Sequence, residues 1–131
     1  MVTIAIIDDD MDDVQLLADA ISEFTTACFL NFRNSQQAVT TLVNNSAFIP
    51  AYVFTDYNMP LVNGEQVIRS LRDEPMFRKT IIIALSTSMP EDLAQSLKTA
   101  GADFALKKPV STKEFSVMLE SIFSTPILVQ S

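Results

Sequence analysis

Tyr52-Val53-Phe54-Thr55-Asp56-Tyr57-Asn58-Met59-Pro60 is the stretch on which the reading of this chain turns. A short apolar run from Ala51 to Phe54 leads straight into an aspartate, and a turn closed by a proline follows. That length and composition read as a strand buried on both faces. Asp56 then stands at the carboxyl end of the strand, the edge at which open α/β sheets bind ligands. A carboxylate there serves as a nucleophile, as a metal ligand, or only as a capping or turn residue. This stretch alone leaves the three open.

Outward from it, strand-like runs and helical patterns alternate five times. Strands are expected over Thr3–Ile7, Cys28–Phe32, the Tyr52 run, Thr80–Leu85 and Asp103–Lys107. Between them the apolar spacing i, i+3, i+4, i+7 marks helices: Val14, Leu17, Ala18 and Ile21 line the first, and Ala38, Val39, Leu42 and Val43 the second. Gly64 opens the third, which runs through Leu71. Ser88-Met89-Pro90-Glu91 reads as the start of the fourth, with Pro in its first turn and Glu three residues after Ser. Gly101 stands where a left-handed C-terminal cap belongs. Ser111 to Glu114 fits a capping box for the last helix, faced by Phe115, Met118, Leu119, Ile122 and Phe123 and ended by Pro126. Five βα units with short loops imply a parallel sheet with helices on both faces. One domain is expected, with its core over about 3–124 and a short tail over 125–131.

Composition removes whole classes of function. The net charge of −7 argues against a DNA- or RNA-binding surface, which needs clustered Lys and Arg. The absence of histidine excludes a Ser-His-Asp triad and any phosphohistidine on this chain. With only Gly64 and Gly101, no Gly-rich phosphate cradle can form. Any metal site must be built from oxygens, which selects Mg²⁺, Mn²⁺ or Ca²⁺. No apolar run reaches the ~20 residues of a membrane span, and the N-terminus lacks the basic region of a secretory signal. The single cysteine, Cys28, suits a reducing cytoplasm and reads as a small core residue within Ala27–Leu30.

The carboxyl ends of strands 1, 3, 4 and 5 are Asp8-Asp9, Asp56, Ser86 and Lys108. Three carboxylates, a hydroxyl and an amine thus meet at one sheet edge. The carboxylates could hold a hard cation, while lysine and hydroxyl could bind a ligand's oxyanion. Five aspartates fall within six positions here (Asp8, Asp9, Asp10, Asp12 and Asp13), a crowding that repels itself unless something positive sits among it. Asp12 and Asp13 read as helix N-terminal residues favoured by the macrodipole. Asp8 and Asp9 end a buried strand and read as metal ligands. Lys107 and Lys108 should point to opposite sides, so only one serves the site.

In this order and spacing, Ile6-Ile7-Asp8-Asp9, Asp56-Tyr57-Asn58-Met59-Pro60 with Gly64 beyond, Leu85-Ser86-Thr87-Ser88 and Lys108-Pro109 resemble the receiver domains of two-component response regulators. The resemblance covers roughly Thr3 to Phe123. It implies a flavodoxin-like, doubly wound (βα)5 fold with strand order 2-1-3-4-5. It also implies that Asp56 accepts a phosphoryl group with Mg²⁺ or Mn²⁺. The cation would be held by Asp9 directly, by Asp8 through water, by Asp56 and by the Asn58 backbone carbonyl. Ser86 would be the switch hydroxyl and Lys108 its counter-ion, with a cis Lys108–Pro109 bond. The donor would be a sensor histidine kinase, a phosphotransfer protein or a small acyl phosphate. Output would pass to a protein target through the face of helix 4, strand 5 and helix 5, in a cytoplasmic protein for which a homodimer is allowed.

One position departs from the family pattern. Ala105 stands where an aromatic switch residue is usual, and Phe104 beside it should face the other way. Two rivals remain on sequence: a haloacid-dehalogenase-like Mg-dependent phosphatase, for which Asp8-Asp9-Asp10 offers Asp-x-Asp, and a non-phosphorylated pseudo-receiver that only binds. The first leaves Asp56 to Pro60 unexplained, and the second leaves the full set of reactive groups without a use.

Overall fold

A computed structural model describes residues 1–124; the tail expected over 125–131, with Pro126, lies outside the described residues. Strands β1 (Val2–Ile7), β2 (Ala27–Phe32), β3 (Tyr52–Asp56), β4 (Ile81–Ser86) and β5 (Phe104–Lys107) form one sheet in the order β2-β1-β3-β4-β5. Every pair is parallel, so the flavodoxin-like topology is the one the resemblance implies. Helices α1 (Met11–Ser22), α2 (Ser35–Val43), α3 (Gly64–Arg72), α4 (Glu91–Ala100) and α5 (Thr112–Ser124) cover the faces, with a short 3₁₀ turn at Pro75–Phe77.

Alternation along the strands divides the core in two. Ala5, Ile7, Val53, Ile82, Ala84 and Ala105 point toward Leu42, Val67, Ile68, Leu71 and Leu97 of α2, α3 and α4. Ile4, Ile6, Phe54, Ile83 and Leu85 point toward Leu17, Ile21, Phe115 and Leu119 of α1 and α5. Each fully buried Ile or Phe contributes about 2 kcal/mol. Phe123 locks the end of α5, meeting Tyr52 at 5.0 Å and Phe24 at 5.7 Å, both edge to face.

Cys28 corrects a reading from sequence: it is exposed, not core. Leu30 and Phe32 on the same side of β2 pack inward. Cys28, near the start of an edge strand, lies beyond the cover of the nine-residue α2. The start of α4 differs too. Pro90 is the N-cap rather than a first-turn residue, and no side chain caps this end. A capping box forms instead at α3, between Asn63 and Gln66. At α5, Ser111 Oγ accepts the Glu114 N–H as expected, while the Glu114 carboxylate reaches Val110 N–H instead of Ser111.

Gly101 ends α4 at φ +127°, and the Gly101 and Ala102 N–H groups donate to the last-turn carbonyls. A Cβ there would collide with Arg72 Cγ, because Arg72 crosses this turn to stitch three segments together. Its guanidinium donates to Gly101 O at 2.8 Å, Phe77 O at 2.7 Å and the Asp103 carboxylate at 2.8 Å. Asp103 in turn accepts the Ile82 N–H. Arg72→Met keeps the aliphatic stem and removes every donor, so a loss of about 2–3 kcal/mol is expected in urea unfolding. A loss below about 0.5 kcal/mol would show that water replaces the guanidinium without cost.

Candidate functional site

Strand register sets the site. Ile7 lies opposite Thr55, so the next residues, Asp8 and Asp56, emerge side by side. Ser86 lies opposite Lys107, which places Lys108 one step past the edge. The backbone ladder continues beyond the strands: Asp8 N–H donates to Phe32 O at 3.0 Å, Tyr57 N–H to Leu85 O at 2.8 Å and Lys108 N–H to Ser86 O at 2.7 Å. The side chains therefore start from fixed backbone, as preorganised chemistry requires. Gly64 lets α3 begin close behind, since a Cβ there would sit 2.8 Å from Tyr57 Cα. The loop between them passes through a γ-turn in which Val62 N–H donates to Pro60 O, with Leu61 at φ 69° and 91 % exposed.

Asp8, Asp56 and Ser86 are buried, and Asp9 is exposed. Carboxylate oxygens of Asp8, Asp9 and Asp56 lie within 4.8 Å of one another. Such a group of oxygens could hold a hard divalent cation. Asp10 N–H donates to Asp8 Oδ1 at 2.9 Å, and Asn58 N–H to Asp56 Oδ1 at 3.1 Å, which fixes both carboxylates. Lys108, its side chain 9 % exposed, places Nζ 2.9 Å from Asp8 Oδ2 and 3.5 Å from Asp56 Oδ2. Lys107 is exposed, so of the two lysines only Lys108 enters the site.

Two contacts were not legible in the sequence. Asp13 does occupy the first turn of α1, but Asp10 supplies the cap, and the Asp13 carboxylate reaches Lys108 Nζ at 2.8 Å. Ser86 Oγ donates to the Asn58 side-chain carbonyl at 3.0 Å and accepts Ser88 N–H at 3.4 Å. Asn58 thus brings its side chain to the site as well as its backbone. No sequence signal pointed to the first, because Asp13 reads only as a residue of the first turn of α1. The second arises only from the pairing of β3 with β4.

Charge at the edge is unbalanced, with four carboxylates facing one ammonium. Burial pushes the Asp8 carboxyl above the usual range, against the opposing pull of Lys108 and the Asp10 N–H. Burial works against the Lys108 ammonium too, but hydrogen bonds from it to Asp13 and Asp8 outweigh that and hold its pKa above the ordinary lysine value. A carboxyl raised in the folded state contributes stability below its unfolded pKa and loses it as pH rises through the folded value. Once ionised, Asp8 is therefore a cost to the fold, which a bound cation would offset.

Among the described residues no peptide bond is cis. The expected cis bond at Lys108–Pro109 is thus corrected to trans; the chain enters α5 through the Ser111 and Glu114 capping bonds instead. Ala105 and Phe104 lie as expected: Ala105 packs on the α4 side and Phe104 on the α1–α5 side. No aromatic ring stands on the α4 side at this point of β5.

Known proteins share this architecture. The chemotaxis response regulator CheY4 of Vibrio cholerae superposes with a TM-score of 0.80 at 19% identity, covering 93% of this chain and 98% of that one. The response regulator RPA3017 of red light signaling in R. palustris superposes with a TM-score of 0.82 at 23% identity, over 100% of this chain and 97% of that one. In sequence, a probable chemotaxis protein CheY of Rhizobium etli is 23% identical over 122 residues, 93% of this chain and 92% of that protein. The phosphate regulon transcriptional regulatory protein PhoB of Pseudomonas aeruginosa is 28% identical over 120 residues, 92% of this chain but 51% of that protein. Residues 4–120 match the response regulator receiver domain, and with so much of its length accounted for, the chain belongs to that family.

Proposed function

We propose that Asp56 of this receiver domain accepts a phosphoryl group, switching how the protein binds a partner. The observation that carries the reading is the company of Asp56, with Asp8 and Asp9 oxygens within 4.8 Å and Lys108 Nζ at 3.5 Å. An Asp56 oxygen attacks phosphorus, the bond from phosphorus to the donor's leaving group breaks, and an acyl phosphate results. Asp8, Asp9, Asp56 and the Asn58 backbone carbonyl would hold Mg²⁺ (or Mn²⁺), which would supply positive charge for the phosphoryl oxygens. Lys108 adds a second positive group, and positioning plus neutralisation is most of what phosphoryl transfer asks of a protein. Since the chain has no histidine, the donor is another molecule: the phosphohistidine of a sensor kinase or phosphotransfer protein, or a small acyl phosphate.

The signal starts at Ser86. Drawn toward the phosphoryl oxygens, its hydroxyl leaves Asn58 and moves the loop Thr87–Pro90 at the head of α4. With Ala105 in place of a ring, this loop is the main route outward. The receiving surface is the face of α4, β5 and α5, where Val110 and Val117 are 80 % and 64 % exposed beside Leu106 and Met118. A cytoplasmic location fits this chemistry; among the described residues no helix is long and apolar enough to cross a membrane.

Incubation with acetyl phosphate and Mg²⁺ tests the reading and should add one phosphoryl group to the intact protein. Turnover of a chromogenic phosphate ester, the mark of a phosphatase, should be absent. Asp9→Asn removes a cation ligand from the exposed side of the site, so the stabilisation of the fold by Mg²⁺ should shrink and labelling should slow at least tenfold. Unchanged Mg²⁺ stabilisation in that variant would move the cation away from Asp9.

A further inference from the structure

The carboxylate nearest the Lys108 ammonium belongs to a residue that phosphoryl transfer does not require. Asp13 Oδ2 lies 2.8 Å from Nζ, closer than Asp8 Oδ2 at 2.9 Å and far closer than Asp56 Oδ2 at 3.5 Å. A separation of 2.8 Å is a good charge-assisted hydrogen bond, whereas 3.5 Å is at the limit for one. Asp13 also differs from the other two in its company. Asp8 and Asp56 share their oxygens with Asp9 in the group that could hold a cation, and Asp13 stands outside that group. Nor is its carboxylate occupied in capping α1, because Asp10 accepts the Asp12 and Asp13 N–H groups. Its carboxylate pairs with Lys108, and the pair joins α1 to the end of β5.

We propose that Asp13 is a positioning residue that anchors the Lys108 ammonium toward α1 at rest, so that a phosphoryl group on Asp56 must draw the lysine away from it. The inference rests on the reading of Asp56 as the acceptor. A ligand biases two states only by the difference in its interactions with them. The Asp13–Lys108 pair is strongest in the resting geometry and therefore weights the equilibrium against the phosphorylated one. Asp13 acts as a brake: it sets how much of the phosphoryl group's attraction for Lys108 appears as affinity.

Beryllofluoride binding at saturating Mg²⁺ is the test, with Asp12→Asn as the control for net charge. Asp12 lies in the same turn of α1, is exposed and makes no ion pair with Lys108. Asp13→Asn should tighten beryllofluoride binding by roughly three- to fivefold, the upper range for one partly exposed ion pair. Asp12→Asn should change it less than about twofold, and Asp13→Glu should restore a value near that of the wild type. Equal tightening by the Asp12 and Asp13 variants would reduce the effect to general charge and overturn the proposal. Weaker binding by Asp13→Asn would overturn it as well, since Asp13 would then support the phosphorylated state.

A second readout needs no phosphoryl mimic. In metal-free protein, Asp13→Asn should lower the melting temperature more in the presence of Lys108 than in a Lys108→Gln background. Equal shifts in the two backgrounds would mean that the pair is not coupled, and the anchor would fall. Failure of the wild type to bind beryllofluoride would strike the acceptor reading itself. Binding by the wild type with no gain in Asp13→Asn strikes only the anchor.

Discussion

Asp56→Asn is expected to abolish labelling by acetyl phosphate while leaving the fold intact. The carboxamide oxygen is too poor a nucleophile to attack phosphorus, and the exchange preserves shape. It can still accept the Asn58 N–H that Asp56 Oδ1 accepts at 3.1 Å, so the turn into Asn58 has no reason to move. One negative charge leaves a crowded edge, and the thermal midpoint should hold or rise. Mass spectrometry of the intact protein measures the first outcome and thermal unfolding the second. Asp8 and Asp9 are the other carboxylates in the group that could hold a cation, so undiminished labelling of the variant would falsify the assignment and move the acceptor to one of them.

The largest effect on stability is expected from Lys108→Met. The methionine fills much the same volume but leaves Asp8 and Asp56, with side chains 8 % and 7 % exposed, without the ammonium that faces them. Removing one member of a buried ion pair costs about 3 kcal/mol or more, chiefly because the remaining charge stays buried and unpaired. Saturating Mg²⁺ should return part of that loss, since a cation held by the same carboxylates replaces the missing charge. Urea unfolding in chelator and in Mg²⁺ measures both. A loss under about 1 kcal/mol in chelator would mean that water reaches the carboxylates freely and that Lys108 matters for chemistry alone.

The sheet and the reactive edge were legible because both follow from local pattern. An apolar run ending in Asp8, Asp56, Ser86 or Lys108 states where each side chain must emerge once the strands are parallel. What was not legible came from partners distant in the chain. Arg72 and Asp103 meet through hydrogen bonding 31 residues apart, and neither lies in a motif. Asp13 carries an ordinary signature of a helix N-terminus, and nothing in that signature says that Lys108 will arrive beside it. Cys28 misled for a related reason. Its neighbours are apolar, but its exposure depends on β2 being an edge strand under a short helix, which is a property of the sheet order.

The way β5 completes the sheet has a consequence during synthesis. Asp8 and Asp56 leave the ribosome early, and β1 and β3 can pair as soon as both are out. Lys108 lies 52 residues beyond Asp56, and β5 has a single strand neighbour, β4. Until that last strand docks, the nascent chain presents bare carboxylates with no ammonium among them. Cellular cations would meet the acidic edge of such a half-made molecule before Lys108 does. The reactive edge is thus complete only once the final strand has docked.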